Sequence, residues 1–146
     1  MEKKRGENEW RSGCPLNASV QMLGDQWSLL IIRDMMLRGS RTFTELLNSY
    51  EMIATNVLAD RLRRLEANGI LTRERDAKDR RKQIYRLTEK GIDLGPVLTE
   101  MVLWAAAHEE TENAALVRKM RKDKKRFLAG IRQRWVEVAG RAGANE

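Results

Sequence analysis

"ATNVLADRLRRLEANGILTRERDAKDRRKQIYRLT", residues 54–88, changes period halfway along. In its first part Leu58, Leu62 and Leu65 fall at i, i+4 and i+7 with Ala54 roughly in line, while Asn56, Asp60, Arg63 and Ala67 cluster near the opposite face. That spacing predicts an amphipathic helix, and Gly69 closes it in the position where helices turn left-handed. Two arms with strand character follow, Ile70-Leu71-Thr72 and Ile84-Tyr85-Arg86-Leu87, around a charged centre. Residues 70–88 carry seven arginines and lysines among nineteen positions. A short hairpin with that much positive charge, directly behind an amphipathic helix, is the pattern to be explained.

Upstream, Asp25 is placed to cap a helix from about Gln26 to Arg38, with Leu29, Leu30, Ile32, Met36 and Leu37 as its apolar stripe and Gly39 as its stop. Thr42-Phe43-Thr44-Glu45 has capping-box spacing and opens a short helix through about Asn48. Downstream, Thr88 is expected to cap one long helix bent by Pro96, with Val97, Met101, Trp104, Ala105 and His108 on one face. A last helix is expected from about Glu112 to Val138, with Val117, Met120, Phe127, Ile131, Trp135 and Val138 at helical spacing. Three helices followed by a two-stranded wing is the plan of a winged helix-turn-helix, whose third core helix enters the major groove of DNA. The expected class is mainly α with a small β-hairpin wing and long C-terminal dimerisation helices. The expected divisions are an N-terminal tail (1–12), a winged helix-turn-helix DNA-binding domain (13–90), and dimerisation helices with a basic extension (91–146).

The 146 residues suffice for one domain with a core plus an extension. No apolar run approaches the roughly 18 residues of a membrane span, and Met1-Glu2-Lys3-Lys4-Arg5 leads into polar sequence unlike a signal peptide. Cys14 is the single cysteine, which excludes an internal disulfide and fits a reducing compartment. A cytoplasmic, nucleoid-associated protein without membrane contact is expected. The net charge of +7 is unevenly placed: residues 1–52 balance to zero, 53–90 carry +5, 91–110 carry −4 and 111–146 carry +6. Two basic blocks around an acidic one suggest contact with a polyanion.

From Cys14 to about Trp104 the chain resembles the HxlR family of winged helix-turn-helix transcriptional regulators, relatives of the MarR family. The anchors are Cys14-Pro15, the Gly24-x-x-Trp27 pair, Arg41-x-Phe43-x-Glu45-Leu46, Arg61-Leu62-x-x-Leu65-x-x-x-Gly69 and Leu87-Thr88-x-x-Gly91. The resemblance implies a homodimeric transcription factor, usually a repressor, on a pseudo-palindromic operator. Some members sense electrophiles or oxidants through the cysteine before the proline. Three features depart from the family pattern. Ala54 stands where Ser commonly opens the recognition helix, which loses a cap of typically about 1 kcal/mol unless Thr55 substitutes. The wing "DAKDRRK" looks more like a MarR wing than the Pro-rich HxlR one. The basic segment after about residue 111 lies beyond the shared region.

In that frame Thr55, Asn56 and Asp60 face outward near the start of the recognition helix, where Asn pairs with adenine and Asp accepts from a cytosine amine. Arg63 and Arg64 share the exposed face, whose bland alternative is the wet side of an amphipathic helix. Arg61, on the flank, is cast as a phosphate contact or a structural ion-pair residue. Arg41 and Thr42, opening the short helix, and Lys78, Arg80, Arg81 and Lys82 on the wing complete the DNA-binding set. By resemblance to MarR wings, Arg81 is the residue expected in the minor groove, with Asp79 orienting it. Leu16, Val20, Val97, Met101, Trp104, Ile131 and Trp135 are assigned to the dimer interface. Trp27, Phe43, Trp104 and Trp135 read as core or interface aromatics, with room for a small-molecule effector pocket between the domain and its dimerisation helices. Cys14 just before a helix is either a redox sensor, since a helix N-terminus favours the thiolate, or a small interface filler. The run "VRKMRKDKKRF" is a solvated face, a DNA-backbone contact or a site for an acidic partner. His108 has no cysteine nearby, so neither a metal site nor any cofactor is expected. No nucleophile, phosphate loop or paired carboxylates suggest an enzyme. The alternative to a repressor on double-stranded DNA is a winged-helix adaptor that binds an acidic protein partner.

Overall fold

The structure is a computed structural model that describes residues 10–143, and most of the expected N-terminal tail lies outside the described residues. Helix α1 spans Pro15–Leu23, α2 Ser28–Leu37, α3 Phe43–Leu47 and α4 Thr55–Ala67. The hairpin pairs β1 (Leu71–Arg75) with β2 (Gln83–Leu87) antiparallel, Leu71 opposite Leu87 and Arg75 opposite Gln83. Helices α5 (Glu89–Ile92), α6 (Gly95–His108), α7 (Ala114–Lys122) and α8 (Lys124–Gly143) follow. The expected class holds: a mainly helical chain with one small hairpin, in the plan of a winged helix-turn-helix.

The core forms where α2, α3, α4 and the hairpin meet. Ile32, Leu46, Leu58, Leu65, Ile70 and Leu71 are fully buried, each removal from water contributing roughly 1.5–3 kcal/mol. The stripe expected on α2 was too narrow, because Ile31 and Met35 are buried as well as Ile32 and Met36. The helix is covered on most sides, by α3, β2, α6 and α8. Its start also differs: α2 begins at Ser28, and Asp25 caps it from outside, its Oδ1 accepting the N–H groups of Trp27 (2.7 Å) and Ser28 (2.9 Å). Gly39 and Gly69 both sit at φ +71° just past the ends of α2 and α4, where an L side chain would be strained.

The C-terminal helices are broken where their apolar spacing predicts continuous ones. Thr88 caps only the single turn of α5, accepting from the Gly91 N–H at 3.2 Å. Pro96 then lies in the first turn of α6. Proline lacks an N–H and its ring would strike the carbonyl of Ile92 four residues back, so it starts a new helix instead of bending an old one. The last helix is likewise two: Asp123 ends α7 and accepts the Arg126 N–H at 3.0 Å, opening α8. Gly91 is required for another reason: a Cβ there would lie 2.2 Å from the Ile70 carbonyl oxygen. That oxygen also accepts the Thr88 N–H at 3.0 Å. The Leu87-Thr88-x-x-Gly91 motif is thus the joint that docks α5 against the start of the wing.

Helix α8 folds back on the domain. Ile131 is 3% exposed and part of the same core as Ile32 and Leu87. Trp135 is half-buried and its Nε1–H donates to the Leu87 carbonyl at 2.8 Å. The interface assignment of Ile131 and Trp135 is corrected accordingly: both are taken up by this chain's own packing. Packing therefore crosses the boundary expected at residue 90.

Candidate nucleic-acid interface

Helix α4 buries Leu58, Leu62 and Leu65 and turns its other face outward. Thr55, Asn56, Arg63 and Arg64 are exposed. Ala54 takes the extended geometry of an N-cap but supplies no side-chain bond, and Thr55 does not replace it. Asp60 and Arg61 are not free. Arg61 reaches the Asp25 carboxylate at 3.1 Å and also bonds to Asp60, with its side chain 22% exposed; Arg63 approaches Asp60 at 3.9 Å. Arg61 therefore ties the start of α2 to the middle of α4. Burial alone would push the Asp25 carboxyl up; hydrogen bonds from the Ser28 hydroxyl and the Trp27 and Ser28 N–H groups, with the Arg61 guanidinium alongside, outweigh it and hold it below the usual range.

A second polar lock was invisible in the sequence. Arg33 grips both oxygens of Glu51 at 2.7 Å and the buried Asp34 at 2.9 Å, while Ser49 adds a bond to Glu51 at 2.8 Å. The Arg33 bond drives the Glu51 carboxyl down to about 2 and the Arg33 guanidinium up. This network pins α2 to the turn between α3 and α4, where Met52 is held at φ +58°.

Arg41 is exposed; its N–H donates to Glu45 Oε2 at 2.7 Å and its carbonyl accepts from Tyr85 N–H at 2.7 Å, so the backbone before α3 is stitched to β2. Thr42 forms the expected capping box with Glu45, so its oxygen already serves α3.

The wing tip, between β1 and β2, organises itself around two aspartates. Asp76 accepts the Lys78 N–H at 2.9 Å, and Asp79 accepts both the N–H and the Nε–H of Arg81, at 3.1 and 3.2 Å. The Arg81 bonds, backbone first, hold the Asp79 carboxyl below its usual range. Lys78, Arg80, Arg81 and Lys82 are all exposed, and the Arg81 side chain is 92% exposed. The tip is a set turn carrying unburied cations.

Elsewhere, Cys14 occupies the N-cap position of α1 and is exposed. Large apolar side chains are left in solvent on three helices: Leu16 (70% exposed) and Val20 on α1, Val97, Met101 and Trp104 (68%) on α6, and Val136 on α8. The basic side chains of residues 118–126 are exposed along α7 and the start of α8.

A buried three-helix core, a third helix with its polar face outward and a cationic hairpin beside it define a winged helix-turn-helix transcriptional regulator. The chain belongs to the HxlR family: the HxlR-like helix-turn-helix profile matches residues 22–113. The match begins after Cys14 and ends before α7. Over 93 residues, 63% of this chain and 82% of the relative, it is 39% identical to the HTH-type transcriptional regulator YodB of Bacillus subtilis. The reduced form of YodB superposes with a TM-score of 0.56 at 37% identity, covering 68% of this chain and 98% of YodB. The structure of PA1607 gives a TM-score of 0.64 at 33% identity, covering 70% of each chain. The redox regulator HypR in its reduced form gives 0.54 at 30% identity, covering 64% of this chain and 92% of HypR. YodB has also been solved quinone-bound and diamide-treated, and HypR oxidised.

Proposed function

We propose that the chain acts as a homodimeric repressor that binds a pseudo-palindromic operator through α4 and the wing, and that a redox, electrophile or small-molecule signal releases it. The carrying observation is the exposed Asn56 on the first turn of α4, with four unburied cations at a tip preset by Asp76 and Asp79. An asparagine there suits a bidentate pair with adenine. The wing suits phosphate contacts and one guanidinium, Arg81, in a narrow minor groove. Thr55, Arg63 and Arg64 complete the helix face. Arg41 and the Thr42 hydroxyl are assigned to phosphates, and Arg61 and Asp60 to holding α4 in place.

Leu16, Val20, Val97, Met101 and Trp104 form the dimer interface, because a lone chain leaves these apolar side chains in water. Residues 13–90 then supply DNA contacts, and the helices after residue 91 set half-site spacing while α8 buttresses the wing. Cys14 is assigned to sensing by analogy with the redox regulator HypR and with YodB, which has been solved quinone-bound and diamide-treated, and its exposure at a helix start supports access by a reagent. Such a regulator works on cytoplasmic, nucleoid DNA; no described helix is long and apolar enough to cross a membrane.

The test is enrichment of genomic fragments by the purified chain. A repressor of this kind selects fragments sharing two inverted half-sites one helical turn apart, about 10 bp. Failure to enrich any sequence, together with tight capture of an acidic protein, would install the adaptor reading instead.

A further inference from the structure

Between the end of α2, the root of the wing and the C-terminal half of α8 lies a half-open cavity of about 360 Å³, within the range of roughly 300–1,000 Å³ typical of small-molecule sites. Met36, Leu87, Ile92, Ile131, Trp135 and Val138 give it an apolar lining. Its charged wall has one sign: Arg38, Arg41, Arg86 and Arg134 line it, and no carboxylate does. Arg38 is drawn to Asp34 at 3.4 Å. The carboxylate of Glu74 stands 3.9 Å from Arg86, whose buried Nε–H finds no acceptor. Among the described residues the guanidinium groups of Arg41 and Arg134 have no carboxylate partner, although the Arg41 backbone N–H donates to Glu45. Four guanidinium groups around an apolar space, one of them with a buried and unbonded Nε–H, suit a ligand with an anionic head and an apolar body. The α8 wall lies outside the stretch matched by the family profile, while the α2 and wing-root walls lie within it.

We propose that this cavity binds a small amphiphilic carboxylate, its body against Trp135 and Ile131 and its head group between Arg134 and Arg86. The bound ligand also takes up Arg41 and presses on the root of the wing, where Trp135 holds Leu87 and Arg41 holds Tyr85. Occupancy therefore lowers affinity for DNA; this second step rests on the assignment of Arg41 and the wing to DNA.

The test is calorimetric titration of the full chain, without DNA, by benzoate and octanoate, alongside benzyl alcohol and benzylamine. One or both carboxylates bind once per chain, the alcohol about tenfold more weakly, as expected for loss of one charge-assisted bond, and the amine not at all. Arg134→Gln, on an exposed side chain, weakens the carboxylate about tenfold. Ala139→Phe fills the cavity mouth and removes binding, with thermal unfolding reporting that the fold is kept. No saturable carboxylate binding, equal affinity for acid and alcohol, or wild-type affinity in Arg134→Gln overturns the site. With the site confirmed, saturating carboxylate reduces the affinity for a selected DNA fragment; unchanged affinity overturns the coupling alone. A chain that binds the carboxylate but no DNA contradicts the regulator's DNA interface and leaves the cavity assigned.

Discussion

The Asp25–Arg61 pair decides whether the most buried arginine of α4 serves the fold or the ligand, and a double-mutant cycle measures it. Asp25 caps α2 through two N–H groups and pairs with Arg61 at 3.1 Å, the side chains being 16% and 22% exposed. The cap is worth about 1 kcal/mol. A half-buried pair sits at the upper end of the surface range, again about 1 kcal/mol. Asp25→Ala should therefore cost about 2 kcal/mol and Arg61→Ala about 1, while the double variant should cost about 2 rather than 3. Urea unfolding of the four chains at one protein concentration, read by linear extrapolation, gives the coupling. A structural Arg61 also leaves the salt slope of DNA binding unchanged in Arg61→Ala. A coupling below about 0.3 kcal/mol, with the slope reduced by about 0.9, would show that Arg61 spends its charge on a phosphate.

Three further outcomes follow from the geometry. Glu51 has its folded pKa depressed from 4.5 to about 2 by Arg33, so the stability it adds is full above the unfolded value and lost as pH falls toward 2. Because Glu51 is part-exposed, solvent screening limits that stability to about 1 kcal/mol; Glu51→Gln should be less stable than wild type at neutral pH, with the gap closing in acid, and an equal gap at every pH would refute the lock. Trp104→Glu should yield folded monomers in sedimentation velocity, whereas Ile131→Ala should instead lose about 2–5 kcal/mol of stability from the chain's own core; a Trp104→Glu dimer would move the interface elsewhere. Cys14→Ser should hold operator as wild type does yet ignore diamide, and an unaltered diamide response would remove the sensing role.

The sequence made α4 and the hairpin legible because both run on strong, uninterrupted periods, and Gly69 marks their junction. The motif glycines and the Thr42–Glu45 box were equally readable, being local bonds within four residues. Pairings across long separations were not: Arg33 to Glu51 spans 18 positions and Trp135 to Leu87 spans 48, and no period announces them. The stripe holding Ile131 and Trp135 was visible, but a stripe does not say which surface covers it. Here α8 covers the wing root, and those residues left the interface for the core. The period of α4 says which face carries Asp60 and Arg61, whereas neighbours on α2 and α4 decide what their charges meet.

The central claim is that α4 reads bases through Asn56 while the wing reads groove shape, and a base-pair scan of the selected operator tests it directly. Wild type, Asn56→Ala and Arg81→Ala are titrated against operators in which each half-site pair is replaced in turn. Asn56→Ala should lose roughly 1–3 kcal/mol on the parent operator and become indifferent at one base pair per half-site. Arg81→Ala should lose affinity mainly where the flanks are rich in A·T, keeping every base preference. If both variants bound with wild-type affinity and wild-type preferences, neither α4 nor the wing would be the surface that meets DNA.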